Sequence, residues 1–315
     1  MSPNHTRHLG LLQISAASVL WGTGGLVVTV IHDRSGLGAM TASAWRMALA
    51  TVALAAFIAV TGRAGQAITM MRSRPVVPIV VGCGTALYQG LYFASVLSIG
   101  VAVATVVALG LSPILASIWQ HIQARTAPSP REIAVLAAAL VGLCLVTFGG
   151  APHERGGGAT NFTAGLLLAI AAGATYAATT ILGHRLASRT DPVVIATCTT
   201  TAGAVALAPL FLVASLNGEP VVPSDPTSLG LLVYLGVFTL ALSYGLLYAG
   251  LRTTSGAAAT VVTLVEPISA AVLAAVLLGQ QLTWMSVVGA ILILGAVVGL
   301  PAGRDVPDGR PDPGV

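Results

Sequence analysis

Ten runs of roughly twenty apolar residues dominate this sequence, at about 11–31, 39–61, 75–97, 100–122, 132–149, 163–184, 192–215, 228–250, 254–278 and 283–301. A helix of that length crosses the hydrocarbon of a bilayer, about 30 Å thick. Within lipid, a single segment satisfies its own backbone polar groups only as a helix. Composition agrees, because charged residues make up 8% of the 315 and mean hydropathy is +0.91. A soluble domain carries about a quarter charged residues and needs them to cover its surface. The chain is therefore expected to be an all-α membrane protein with ten transmembrane helices. The first run has no small-residue cleavage site, so it reads as a retained span and not a signal peptide. The Gly-, Pro- and Asn-containing stretches 150–161 and 217–227 read as loops.

Arginine placement predicts orientation. Lysine is absent. With the N-terminus inside, eleven arginines fall in cytoplasmic segments (7, 63, 72, 74, 125, 131, 185, 189, 252, 304 and 310), and only Arg34 and Arg155 fall outside. Positive charge is retained on the cytoplasmic side, so both termini are expected there. The bias toward Ala, Gly and Arg fits a GC-rich bacterial genome. The arginines stand singly between apolar runs and form no basic stripe for nucleic acid. Cys83, Cys144 and Cys198 lie inside apolar runs and form neither a disulfide framework nor a metal motif. No two of the six histidines have metal-ligand spacing. There is no Walker A motif, no HExxH and no convergent nucleophile–base set, so no cofactor, metal or enzymatic activity is expected.

The chain repeats itself. "GLLQISAASVLWGTGGLVV" from Gly10 aligns with "GLLLAIAAGATYAATTILG" from Gly165, an offset of 155 residues. The same offset pairs Gly90 with Gly245, Ala94 with Ala249, and "ATVV" at 104–107 with "ATVV" at 259–262; one residue shorter, Ser112-Pro113 answers Glu266-Pro267. Two units of five crossings are expected, 1–158 and 159–302, with a disordered cytoplasmic tail over 303–315. Five is odd, so the second unit must enter the membrane from the opposite side. Such inverted repeats place a substrate site at their interface near mid-membrane in many secondary transporters.

Few residues in the spans can carry chemistry. Glu266 lies about 18 Å along span 9 at 1.5 Å per residue, close to the bilayer centre. Its helical face reads Gly256, Ala259, Thr263, Glu266, Ala270, which is small and polar. An acid at that depth costs several kcal/mol unless it is paired or faces a cavity. It is a candidate for binding an amine or carrying a proton, and equally a structural acid bonded to nearby donors. Tyr88, Gln89 and Tyr92 lie on span 3, and Tyr244 and Tyr248 repeat the i,i+4 spacing on span 8. Trp21 on span 1 aligns with Tyr176 on span 6. These aromatics sit away from the interfacial belt and are candidates to line a pocket for an organic solute; core filling is the bland alternative for each. Trp45, Trp119 and Trp284 stand nearer span ends and read as interface anchors. Arg46, seven residues into span 2, is a second charge candidate within snorkelling reach. The glycines of "WGTGG" at 21–25 follow no strand and predict close helix approach, not a dinucleotide loop.

Together, "SVLWGTGG" in span 1, "ASAWRMALA" in span 2, "GVAVATVVALGLSPILA" in span 4 and "TSGAAATVVTLVEPISAAVLAAVLLGQQLT" across span 9 resemble the EamA-type ten-helix permeases of the drug/metabolite transporter superfamily. The resemblance runs from about residue 10 to 300. It implies an inner-membrane carrier of small organic solutes, often an exporter of amino acids, metabolites or toxic compounds. It also implies a central cavity lined mainly by spans 1, 3, 4, 6, 8 and 9, onto which Trp21, Gln89, Tyr92, Tyr176, Tyr244, Tyr248 and Glu266 fall. Arg46 matches the arginine often seen in the family's second helix. Many members carry glutamate after "LG" at the end of span 9, where this chain has Gln280.

The expected function is secondary-active export of a small organic metabolite or drug by alternating access, with protons as the candidate coupling ion. Uptake or exchange of anionic metabolites, with Arg46 in the leading role, is the alternative; a non-transporting scaffold is a third. The expected partners are a solute and membrane lipid, with a monomer or homodimer as the assembly. Single cysteines introduced at residues 2 and 307 of a cysteine-free variant should both resist an impermeant thiol reagent in intact cells and both react in inverted vesicles. Labelling of the two ends from opposite faces would break the ten-span count.

Overall fold

The structure, a computed structural model, describes residues 3–99, 101–149, 162–187, 190–223, 225–278 and 282–300. All regular elements among them are helices: α1 (Pro3–Ser35), α2 (Ala39–Val60), α3 (Ala64–Ser73), α4 (Val76–Ile99), α5 (Val101–Ala124), α6 (Pro130–Phe148), α7 (Phe162–Ala187), α8 (Pro192–Leu216), α9 (Pro226–Gly236), α10 (Ser243–Leu251), α11 (Gly256–Val262), α12 (Val265–Leu278) and α13 (Trp284–Gly299). Nine membrane-crossing stretches are long and apolar enough by composition, and α13 is a shorter apolar helix. These ten segments coincide with the ten expected spans. The proposed tail 303–315 and Gln280 lie outside the described residues.

Local capping chemistry starts several of the helices. The first turn of a helix leaves backbone N–H groups without intrahelical partners. The Asp191 carboxylate accepts from Val193 N at 2.9 Å, the Asp225 carboxylate from Ser228 N at 2.9 Å, and the Ser255 hydroxyl from Ala258 N at 3.2 Å. At α6, Ser129 and Glu132 form a reciprocal capping box. Pro130, Pro192 and Pro226 follow three of these caps, where a missing N–H costs nothing. Glu132, which stands at the mouth of span 5, is thus a cap.

Three features depart from ten plain spans. α3 is an extra helix between spans 2 and 3. It packs Ala67 and Met70 inward against the bundle while Ile68 stays exposed. Its length of 10 residues is too short to span, and its two-sided character suits the membrane surface. Span 8 is α9 and α10 joined by a π-helical stretch, Val237–Leu242, just ahead of Tyr244. Span 9 is broken. α11 ends at Val262, Thr263 and Leu264 form a turn, and α12 begins at Val265. The continuous small face drawn through Gly256, Ala259, Thr263, Glu266 and Ala270 is therefore interrupted. Pro267 has no N–H for the carbonyl of Thr263, and that carbonyl instead accepts Glu266 N at 3.0 Å. The matching Ser112-Pro113 lies inside an unbroken α5.

Helices pack where glycine lets backbones meet. α4 packs on α7, α2 on α8, α1 on α10 and α12, and α6 on α13. A Cβ on Gly142 would come within 2.7 Å of the Gly289 carbonyl, and one on Gly289 within 2.6 Å of the Gly142 carbonyl. α6 and α13 therefore touch backbone to backbone. The Thr283 hydroxyl donates to the Gly149 carbonyl at one end of this pair, and Arg131 Nε donates to the Gly299 carbonyl at the other, at 3.2 Å. Gly142→Leu should lower stability by about 1–3 kcal/mol through overpacking, read as a lower melting temperature in detergent. Gly25→Ala, where nothing lies within 4 Å of the added carbon, should be neutral or slightly stabilising.

Candidate functional site

The break in span 9 places Glu266 in the first turn of α12. A helix start carries positive partial charge, so a carboxylate there is favoured by the macrodipole. The local fold thus gives this acid a structural home at mid-membrane. α1 lies directly against that turn, since a Cβ on Gly22 would come within 2.7 Å of the Glu266 carbonyl and of the Ser269 Cβ. Of the glycines of "WGTGG", Gly22 makes the expected close approach, while Gly25 has nothing within 4 Å. Two residues on, Gly24 leaves room beside the Arg46 guanidinium; its absent Cβ would sit 3.8 Å from Arg46 Nη1.

Around Glu266 the aromatic residues meet in two groups. Tyr88 stacks on Tyr176 with ring centroids 5.0 Å apart and on Tyr92 at 6.0 Å. Trp21 meets Tyr244 edge-on at 5.6 Å, and Tyr244 neighbours Tyr248 at 6.0 Å. Glu266 interacts electrostatically with Tyr88, Tyr92, Tyr176, Tyr244 and Arg46, so it looks onto both groups. Trp21, Arg46, Tyr88, Tyr92, Tyr176, Tyr244 and Glu266 are all half-buried. They come from α1, α2, α4, α7, α10 and α12, and together they form one central cluster, a candidate cleft.

Two expected lining residues are more deeply buried than the others. Tyr248 is 2% exposed, and its hydroxyl donates to Thr199 Oγ1 at 3.3 Å. Gln89 is buried, with its Nε2 lacking a hydrogen-bond partner. Between Tyr88, Tyr176, Tyr244 and Tyr248, toward the C-terminal ends of α7 and α10, lies a cavity of about 20 Å³ bordered by Thr85, Thr179 and Thr180. That is room for about one water molecule. Trp45, expected as an interface anchor, is instead bound into the protein: its Nε1 donates to the Val221 carbonyl at 2.7 Å and its ring meets Phe211 edge-on. Trp119 and Trp284 are 42% and 73% exposed and do suit that role.

Arg46, a charge candidate from the sequence, adds span 2 to a lining expected from spans 1, 3, 4, 6, 8 and 9, and several threonine contributors were not legible in the sequence. Thr105 holds the Tyr92 hydroxyl at 2.7 Å, Thr199 holds Tyr248, and Thr263 faces Tyr176. Threonine in an apolar run usually bonds its own helix, as Thr85 does to Val81 and Thr239 to Leu235. No local pattern separates those from the threonines that reach across. Among the described residues no group of three or more His, Cys, Asp or Glu could hold a metal ion.

The pattern of the EamA-like transporter family matches this chain twice, over residues 8–148 and 163–300. The chain belongs to that family. An uncharacterized transporter of Bacillus subtilis (strain 168), YwfM, is 26% identical over 297 residues, covering 91% of this chain and 92% of the relative. An uncharacterized inner membrane transporter of Salmonella typhimurium (strain LT2), YicL, is 25% identical over 289 residues, covering 92% and 94%. A crystal structure superposes with a TM-score of 0.74 at 20% identity, over 92% of this chain and 95% of the other, which supports the fold. This EamA-like chain is accordingly a multi-pass membrane transporter.

Arg46 and Glu266 are opposite charges that share the cleft without direct ion-pair contact. Either one alone leaves a net charge at mid-membrane. Arg46→Met and Glu266→Gln should each destabilise the protein, and the double variant should recover part of the loss. The expected coupling in a double-mutant cycle is about 1 kcal/mol, in the range for residues that sense each other. Thermal unfolding in detergent reads it, and strictly additive losses would show two independent charges.

Proposed function

We propose that this transporter is a secondary-active exporter of small organic metabolites, amino acids or related compounds and drugs among them, working by alternating access across the bacterial inner membrane. In this reading the units 1–158 and 159–302 are inverted repeats, both termini are cytoplasmic, and the cleft alternates between the two faces. Trp21, Tyr92, Tyr176 and Tyr244 supply apolar and π surface to the solute, with Gln89 and Tyr248 behind them. Glu266 binds the solute's amine or carries the coupling proton, and Arg46 balances its charge.

The observation that supports this most is the placement of Glu266. A broken helix presents a carboxylate at mid-membrane to an aromatic cleft, with its only nearby cation held out of contact. Transporters often place solute and ion sites at such helix breaks. An acid in that position exchanges partners, a proton or an ammonium group, without dismantling a salt bridge first. A charge-assisted hydrogen bond to an amine contributes about 1.5–3 kcal/mol, so its loss costs about tenfold or more in apparent affinity.

A second reading, exchange of anionic metabolites, draws on Arg46, whose Nε has no hydrogen-bond partner. The two separate in proteoliposomes or inverted vesicles tested against a metabolite panel. For export of amines or zwitterions, Glu266→Gln should lower coupled flux about tenfold or more with expression unchanged. For anion exchange, Arg46→Gln should do so while Glu266→Gln has little effect. Undiminished flux in both variants would remove the charged pair from the mechanism.

A further inference from the structure

A second site lies at the far end of α5, away from the cleft. There Ile118, His121, Ile122, Arg125 and Thr126 border a groove of about 420 Å³ closed on one side by Pro128. Ile118 and Ile122 are 49% and 66% exposed. Both lie in the last two turns of a membrane-crossing helix. Arg125 follows at i+7 from Ile118, about 10 Å farther along the axis. The groove is therefore apolar at one end and cationic at the other, over the distance that separates upper acyl carbons from a headgroup. Trp119, exposed on the same helix, carries the Arg185 guanidinium 5.9 Å from its ring centroid. Interfacial tryptophans sit at headgroup level, and Arg125 begins about 9 Å beyond Trp119 along the axis, on the aqueous side of that level.

The backbone gives Arg125 an unusual setting. Thr126 N donates to the His121 carbonyl at 3.1 Å and Arg125 N to the Ile122 carbonyl at 3.3 Å. This is the Schellman ending, whose left-handed residue is usually glycine. Here it is arginine, with φ 51°, the only non-glycine residue of positive φ among the described residues. The sequence thus keeps a long cationic side chain where the backbone favours none. Among the described residues Arg125 has no ion-pair partner. The nearby acid, Glu132, is occupied by Ser129 N at 2.6 Å and lies 3.8 Å from His121 Nε2. His121 Nδ1 is itself 3.1 Å from the Thr126 hydroxyl.

We infer that this groove binds a phospholipid with a net-negative headgroup, its phosphate on Arg125 and an acyl chain along Ile122 and Ile118. The arginine bias assigns the lipid to the cytoplasmic leaflet. Anionic headgroups at that face attract a basic side chain just beyond a transmembrane helix, and here Arg125 directly follows α5. The inference concerns lipid and is independent of the solute reading above.

The test uses the full chain purified in mild detergent and titrated with phosphatidylglycerol or phosphatidylcholine, with bound lipid counted by native mass spectrometry. The wild type should prefer phosphatidylglycerol. Arg125→Gly, which suits the left-handed backbone, should weaken phosphatidylglycerol binding about fivefold, the effect of one surface charge on an anionic lipid. Its melting temperature in phosphatidylcholine should equal or exceed that of the wild type, which separates lost recognition from misfolding. Arg125→Lys should retain most of the preference, and Ile122→Ser should weaken retention of both lipids. An unchanged preference in Arg125→Gly would overturn the proposal. So would displacement of the lipid by millimolar inorganic phosphate, which would show an anion site without an acyl chain.

Discussion

Backbone satisfaction in lipid governs everything else in this protein. Hydrocarbon supplies no partner for an N–H or C=O, so each crossing must close its own hydrogen bonds. Most hydroxyls in the spans comply and bond back to their own helix: Ser18 to Ile14, Thr197 to Val193, Ser243 to Thr239 and Ser269 to Val265. That leaves few polar groups to join one helix to another. Backbone approach at glycine supplies much of the rest, through Gly142 with Gly289 and Gly22 with α12. Small residues serve membrane bundles this way because burial among equally apolar lipid tails provides no hydrophobic drive between helices.

Against that background, the places where the helical pattern lapses carry weight. Two lapses fall in the second half, in spans 8 and 9, and both adjoin the cleft. The π-helical stretch Val237–Leu242 precedes Tyr244, and the turn at Thr263–Leu264 precedes Glu266. Such irregularities are tolerated at membrane depth when protein or a cavity surrounds them, and π-bulges gather at functional sites. The corresponding spans of the first half, α4 and α5, are unbroken. Internal repetition thus coexists with an asymmetric centre, in which one half supplies the acid and the broken helix and the other supplies Arg46 and the Tyr88–Tyr92 stack. Glu266 is at once a helix-start carboxylate and the acid of the cleft. The two readings coexist because the break that puts Glu266 at a helix start also puts it near Arg46 and the tyrosines.

Hydropathy and spacing alone were enough to predict the ten apolar helical segments and the close contact at Gly22; the loop expected at 150–161 lies outside the described residues. A stretch of twenty apolar residues has one way to exist in lipid, and a glycine beside a tryptophan in such a stretch has few uses other than close packing. The aromatic set was equally visible, since Trp21, Tyr88, Tyr92, Tyr176 and Tyr244 stand out against Ala, Val and Leu. Helix α3 escaped because ten residues with Arg72 at one end give no spanning signal. Trp45 was misplaced because its position near a span end says nothing of the loop carbonyl at Val221 that folds back to accept its N–H.

How those residues are shared between cleft and core depended on folding. Sequence spacing sets the face of a helix on which a side chain lies, but not which neighbour that face meets. Gln89 and Tyr248 are as polar and as central as Tyr92 and Tyr244, yet α8 covers Tyr248 and packing buries Gln89. Arg46 gave no sign of its partner, because Glu266 is 220 residues away along the chain and only the packing of α2 and α12 around one cleft brings their charges into range. The break before Glu266 was likewise hidden: proline in a helix permits an interruption, as α5 shows by passing Pro113 intact. Whether a helix breaks at such a point is settled by the neighbours that rescue its freed backbone groups, and that is a property of the folded bundle.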